Sequence, residues 1–285
     1  MLTTMDELTS ELLAEAAGLV ELCNRHDGLD LPIFLDELAS NGDARTLLPW
    51  REGEKLIAFA AVPDNPEPEA CLAVHPDHRR RGIGRGLVDA LRAEVRRRGL
   101  LECLLVTDTA SPAAKPFLAA LVIPYRFSEY RLELDRAAID RSRPRLGGLS
   151  LRPATGADVE ALSSVTAAAF GDPEIEARAR VQAGMHERTG RFYLAELDGE
   201  PIGAIRAGEW GGNGDITAFA IHPAHQGRGY GRQILLETVD LLIAEGHGRI
   251  MLEVATDNPN ALGLYQSCGF RVTNEYGYFG LRDVG

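Results

Sequence analysis

A chain of 285 residues has room for two domains of ordinary size, and 45% hydrophobic with 25% charged residues is the make-up of a soluble globular protein. Its net charge of −12, from 42 acidic against 30 basic residues, argues against nucleic acid or a membrane surface as partner, since either needs a net basic face. No apolar run reaches the roughly 18 residues of a membrane span, the start lacks a signal peptide's basic head and apolar core, and the four cysteines read as buried thiols; the expected location is the cytoplasm.

Apolar residues at helical spacing predict a helix over residues 8–26 and a shorter one over 31–39. Residues 46–50 and 56–62 read as strands around the turn Arg51-Glu52-Gly53-Glu54, and residues 63–68, with three prolines and an asparagine, as a loop. A strand at 70–74 leads into a glycine-rich segment, a helix to about residue 98, a strand at 102–107 and an alternating strand at 125–134. Residues 135–148 are polar and arginine-rich, with Pro144 and Gly147-Gly148. The expected division is therefore a first domain over 1–140, a linker over 141–148 and a second domain over 149–285.

The second half repeats the order. A strand at 149–152 precedes a helix at 158–169, with Asp158 as N-cap and Ala161 and Leu162 facing inward, and a helical stretch at 173–185. Strands at 192–197 and 202–209 are joined by Asp198-Gly199-Glu200-Pro201. A strand at 215–221, a second glycine-rich segment, a helix at 231–245, a strand at 249–255, a helix at 261–268 and a strand at 270–278 complete the chain.

The two glycine-rich segments are copies. Ala73-Val74-His75-Pro76-Asp77-His78-Arg79-Arg80-Arg81-Gly82-Ile83-Gly84-Arg85-Gly86 recurs 147 positions later as Ala220-Ile221-His222-Pro223-Ala224-His225-Gln226-Gly227-Arg228-Gly229-Tyr230-Gly231-Arg232-Gln233, with eight of fourteen positions identical. Each follows a strand and opens a helix. Backbone N–H groups at a helix start, freed by glycine for close approach, bind anions, and nearby arginines add charge-assisted bonds to phosphate. Neither copy is a Gly-x-Gly-x-x-Gly dinucleotide fingerprint, because Leu87 and Arg232 hold the last position, and no Gly-Lys-Ser/Thr follows. The pairs His75/His78 and His222/His225 lack a third ligand at suitable spacing, so turn roles are expected and no metal.

Downstream of the second loop stand Leu252-Glu253-Val254-Ala255-Thr256-Asp257-Asn258 and Pro259-Asn260-Ala261-Leu262-Gly263-Leu264-Tyr265-Gln266-Ser267-Cys268-Gly269-Phe270. With Gln226-x-x-Gly229-x-Gly231, this resembles the GCN5-related N-acetyltransferase (GNAT) superfamily: the loop matches its pyrophosphate-binding motif, the later stretch its Asn-x-x-Ala-x-x-Leu-Tyr-x-x-x-Gly-Phe block. The resemblance spans essentially all of 149–285 and, more weakly, about 40–135. It implies an α+β fold in each half, a mixed and mostly antiparallel sheet flanked by helices and splayed near its middle, with acetyl-CoA in the gap as co-substrate. By that resemblance Phe219, Ala220 and Ile221 contact pantetheine through their backbone. Gln226, Gly227, Arg228, Gly229, Tyr230, Gly231 and Arg232 hold the pyrophosphate, and Asn258 binds the pantetheine arm or fixes the loop above the thioester. A possible second CoA site comprises Leu72, Ala73, Val74, Arg79, Arg80, Arg81, Gly82, Ile83, Gly84 and Arg85.

The chemistry needs a neutral amine to attack a thioester and a proton for the departing thiolate. Tyr265 falls where the family keeps its general acid. Glu253, a carboxylate in an otherwise apolar strand, matches the general base that stands twelve residues before the Tyr in the similar ribosomal-protein alanine acetyltransferases; Glu209 is the reserve. In the first half Leu105 aligns with Glu253, Ala110 with Asn258 and Phe117 with Tyr265, and Pro116 is expected to interrupt the short helix. The first domain therefore reads as non-catalytic: it binds CoA passively, braces the second domain or shapes its acceptor site. The expected function is acetyl transfer to a primary amine, on a small molecule or on a protein or peptide N-terminus. Tandem organisation with one worn half resembles mycothiol synthase, which would make the acceptor a thiol-disaccharide amine; an acyl-CoA-binding module without turnover is the alternative from another class.

Overall fold

The computed structural model describes residues 8–31, 46–63, 68–142, 144–187 and 189–282; the helix expected over 31–39 falls outside them beyond Leu31. By contacts the chain forms two units, Met1–Glu129 with Asn274–Gly285, and Tyr130–Thr273.

In the first unit, helix α1 (Ser10–Asp27) starts at Thr9, whose hydroxyl accepts from Leu12 N at 3.2 Å, and ends at Gly28 with φ 67°. Strands β1 (Leu47–Glu52), β2 (Lys55–Ala61) and β3 (Glu69–Val74) form an antiparallel meander. Helix α2 (Ile83–Arg98), β4 (Cys103–Asp108) and α3 (Ala114–Ala120) follow. Leu12, Ala16, Leu19 and Cys23 of α1 pack with Phe59, Ala61 and Ala73, whereas Leu87, Val88, Leu91 and Val95 of α2 belong to a separate cluster with Ala58, Ala60 and Leu105. The meander is thus covered on both faces. Pro116 does not interrupt α3: it lies in the first turn, where a missing N–H and a fixed φ are tolerated.

The second unit repeats this plan. After β5 (Tyr125–Leu134) come β6 (Leu149–Pro153), α4 (Val159–Phe170), α5 (Glu174–His186), β7 (Gly190–Leu197), β8 (Glu200–Trp210) and β9 (Asn213–Ile221). Helix α6 (Tyr230–Ala244), β10 (Ile250–Ala255), α7 (Pro259–Ser267) and β11 (Phe270–Leu281) follow. Thr155 and Asp158 form a capping box on the 3-10 turn Gly156–Asp158 that leads into α4; Asp158 holds the N-cap position of α4 without a side-chain cap bond to it, and takes both prongs of Arg152 at 3.0 and 2.8 Å. The arginine holds that carboxyl well below the usual range. Leu162, Val165 and Val181 of α4 and α5 pack with Leu194, Ala204 and Ala220, while Ile234, Leu235 and Val239 of α6 pack with Ile216, Leu252 and Val254.

Strand order in the first unit is β1-β2-β3-β4-β11, and in the second β5-β10-β9-β8-β7-β6. Each sheet is completed by a strand from the other half of the sequence. Tyr276 through Leu281 pair antiparallel with Asp108 through Cys103. Tyr276, 1% exposed, donates its hydroxyl to Asp30 O at 2.8 Å, and Tyr278 donates to Glu129 Oε2 at 3.0 Å. The division between units therefore crosses β5 and β11 and differs from the linear one drawn at 141–148. The stretch read as a linker lies along α6: Arg141 grips Asp240, and Leu146 N donates to Gln233 Oε1 at 2.7 Å.

In each unit one parallel pairing is brief. β3 meets β4 only at Glu69/Leu104 and Ala70/Leu105, and β9 meets β10 only at Gly214/Ile250, Asp215/Met251 and Ile216/Leu252. Beyond those pairs the strands part.

Deleting residues 274–285 should strip amide exchange protection from β4, since the edge left behind loses its ladder partner. Hydrogen exchange on the truncated chain checks this; full protection across Cys103–Asp108 would contradict the exchanged pairing.

Candidate active site

The gap between β9 and β10 leads into the second glycine loop. Gly227 and Gly229 have φ of 72° and 91°, left-handed values that glycine adopts without penalty. The first loop has the same shape, with Arg80 at 61° and Gly82 at 82°. Gly231 is constrained by space instead: a Cβ there would stand 3.3 Å from Leu264 and 3.7 Å from Phe219. Pro223 and Pro76 each open a single tight turn in which His222 or His75 accepts from the backbone N–H two residues on, at 3.3 Å. The His-Pro-x-His pairs thus act in turns.

Several side chains expected on phosphate are otherwise engaged. Gln226 donates to Ile221 O at 2.9 Å, and its counterpart Arg79 donates to Val74 O at 3.0 Å, so both tie loop to strand. Arg79 also pairs with Asp27 through two bonds of 2.9 and 2.7 Å. Arg232 is buried and spans Ser267 Oγ (2.9 Å) and Asp140 O (2.8 Å). What the second loop offers an anion is therefore backbone N–H groups at the start of α6, with Arg228 exposed beside them. Tyr230 sits with its ring 6.3 Å from that of His225. Asn258 caps α7, accepting from Ala261 N at 3.1 Å.

Phe219, Ala220 and Ile221 lie past the last β9/β10 pair, so no β10 ladder bond serves their edge. Ala218, at φ 47°, adds a kink where β9 shifts register against β8. Backbone amides presented to a gap suit the amide-bearing pantetheine arm, and the glycine cradle suits its pyrophosphate. The residues present fit acetyl-CoA.

Tyr265 on α7 is 7% exposed, with ring centroids of Phe219 and Phe270 each at 6.4 Å. Its hydroxyl has no hydrogen-bond partner among the described residues, and burial pushes its pKa up to about 12. Glu253 points from the other face of β10, because Leu252 and Val254 face α6. Arg131 on β5 donates twice to Glu253 Oε1, at 3.0 and 2.8 Å, with its guanidinium 4.8 Å from the Trp210 ring centroid. Asp215, which sequence reasoning passed over, shares this face, being in register with Met251. Glu209 does not: it pairs with Gly214 and so faces away from Glu253. The only available signal for Asp215 was a carboxylate in an apolar strand, the argument that singled out Glu253.

The first unit keeps the gap, with Leu105 and Phe117 at the positions of Glu253 and Tyr265. Its cavity of about 830 Å³ is lined by Leu72, Val74, Arg80, Gly82, Arg85 and Phe117 among others. Leu105 is buried, and the Phe117 ring stands 3.1 Å from where a Gly84 Cβ would be.

The family model for the acetyltransferase (GNAT) family matches this sequence twice, over residues 10–121 and 159–270. The chain belongs to this family. Two mycothiol acetyltransferases, from Streptomyces coelicolor and Thermomonospora curvata, are each 33% identical to it, over 95% and 93% of this chain and 92% of theirs. In fold it is similar to a GCN5-related N-acetyltransferase from Sphaerobacter thermophilus, with TM-score 0.77 and 18% identity over 97% of this chain and 95% of that one. A tandem GNAT protein from the clavulanic acid biosynthesis pathway gives TM-score 0.69 and 20% identity over 96% of each. The chain is accordingly a tandem GNAT N-acetyltransferase that uses acetyl-CoA as co-substrate and an amine as acceptor. No helix among the described residues is long and apolar enough to cross a membrane.

Burial makes Tyr265 a phenol that holds its proton to higher pH than an exposed tyrosine would. An ultraviolet titration of wild type against Tyr265→Phe should show no ionisation of this residue below roughly pH 11. A difference signal centred near pH 10 would contradict the buried environment.

Proposed function

We propose that acetyl transfer takes place in the second unit, on the amine of a thiol-disaccharide of the mycothiol type. The carrying observation is that the second unit has Tyr265 on the α7 face and Glu253 on the other, where the first unit has Phe117 and Leu105. Relatives named mycothiol acetyltransferase, alike over nearly the whole length of both chains, support the acceptor class.

Bound acetyl-CoA supplies a thioester carbonyl and a thiol leaving group. The loop from Gln226 to Arg232 and the α6 N-terminus hold its pyrophosphate, and Phe219 to Ile221 meet its pantetheine arm. Tyr265 holds a proton at Oη in surroundings that also disfavour a bare thiolate, so the proton passes to sulfur as the bond to carbon breaks. Glu253 takes the proton that the acceptor nitrogen loses as the neutral amine attacks the carbonyl. The Phe219 and Phe270 rings around Tyr265 limit water there, which favours the amine over hydrolysis. In the first unit, Leu105 and Phe117 take the two positions that Glu253 and Tyr265 hold in the second, and the cavity of about 830 Å³ holds acetyl-CoA without turnover.

Three measurements test this reading. Tyr265→Phe keeps the packing and should lower kcat about 10-fold or more with little change in acetyl-CoA affinity. Gly231→Glu sets a carboxylate against phosphate and should abolish turnover, while Gly84→Glu, disabling only the first loop, should retain most of it. Turnover on a panel of a thiol-disaccharide amine, peptides and aminoglycosides should favour the first. A folded Gly84→Glu chain without activity, or preference for a peptide N-terminus, would overturn the respective part.

A further inference from the structure

We infer that Arg131 is a positioning residue for the acceptor amine: it fixes the Glu253 carboxylate by one oxygen and so aims the other at the incoming nitrogen. This rests on the reading of Glu253 as the base. Both Arg131 bonds, from Nε at 3.0 Å and Nη2 at 2.8 Å, end on Oε1. Oε2 has no hydrogen-bond partner among the described residues, and the Glu253 side chain is 34% exposed while that of Arg131 is 9% exposed. Thr273 donates to Arg131 O at 3.3 Å, holding its backbone, and the guanidinium lies 4.8 Å from the Trp210 ring centroid. A carboxylate gripped on one oxygen and open on the other presents its free lone pairs in a fixed direction, which is what proton transfer from a bound amine requires. The proton leaves the acceptor nitrogen for Oε2 as the N–C bond forms; the C–S bond breaks and sulfur takes the Tyr265 proton.

Arg131 stands on β5, between the two family matches at 10–121 and 159–270, and lies in the second unit. Other charges on this face include Asp215, Glu129 two residues before Arg131 on β5, the Glu133–Arg249 pair at 2.8 Å and the Arg206–Glu187 pair at 2.6 Å.

The test is kcat and acceptor KM in Arg131→Gln, Arg131→Lys and Glu253→Gln, with acetyl-CoA affinity measured alongside. Without the grip the carboxylate is free to turn, so Arg131→Gln should lower kcat about 10-fold with acceptor KM little changed. Arg131→Lys restores a cation but not the two-pronged grip, and should recover part of that loss. Acetyl-CoA affinity should stay unchanged in all three. If Glu253→Gln loses activity 10-fold or more but Arg131→Gln keeps wild-type kcat, Arg131 is only structural and the inference is overturned. If Glu253→Gln is fully active, the reading of Glu253 itself fails, and Asp215 becomes the carboxylate to examine.

Discussion

Everything at this site depends on a parallel strand pair that ends early. β9 and β10 share three residue pairs and then part, so the backbone edge beyond Ile216 lacks the ladder partner that buried amides require. That deficit is tolerable only where a ligand or water can supply the missing bonds. An amide-rich, extended co-substrate arm would meet the need, and the glycine loop at the end of β9 would receive its anionic part. Tyr265 and Glu253, the proposed proton carriers, fall to either side because successive residues of β10 face opposite ways.

The same constraint operates in the first unit, where β3 and β4 part after two pairs and enclose a large cavity. What differs is side-chain chemistry at two positions. Leu105 and Phe117 pack where the second unit has Glu253 and Tyr265, which is the basis for proposing that the first unit binds without turnover. The exchanged strands keep the halves from being independent copies: β11 completes the first sheet, and β5 brings Arg131 to Glu253.

The fold was largely legible because alternation, helical spacing and glycine position are local signals. Tyr125–Leu134 was read with its observed bounds, and both loops were found because a left-handed turn before a helix favours glycine. Arg80 shows the limit of that argument, since it takes φ of 61° without being glycine. The side-chain roles of Gln226, Arg79 and Arg232 were not legible. Each long side chain turned to a partner set by tertiary structure, whether a strand-end carbonyl, Asp27, or Ser267 with Asp140. Strand exchange was hidden for a related reason: alternation tells which face of β11 is buried but not which strand it joins. The pairing of Glu253 with Arg131 spans 122 positions and left no trace in either local pattern.

The most direct test of the central claim is a structure of the chain with a non-reactive acetyl-CoA analogue and an acceptor amine. The account predicts the analogue's sulfur in the β9/β10 gap within ~3.5 Å of the Tyr265 hydroxyl, with the amine on the side of Glu253 Oε2. An acceptor amine bound against the analogue in the first unit, or an analogue sulfur turned away from Tyr265, would contradict it.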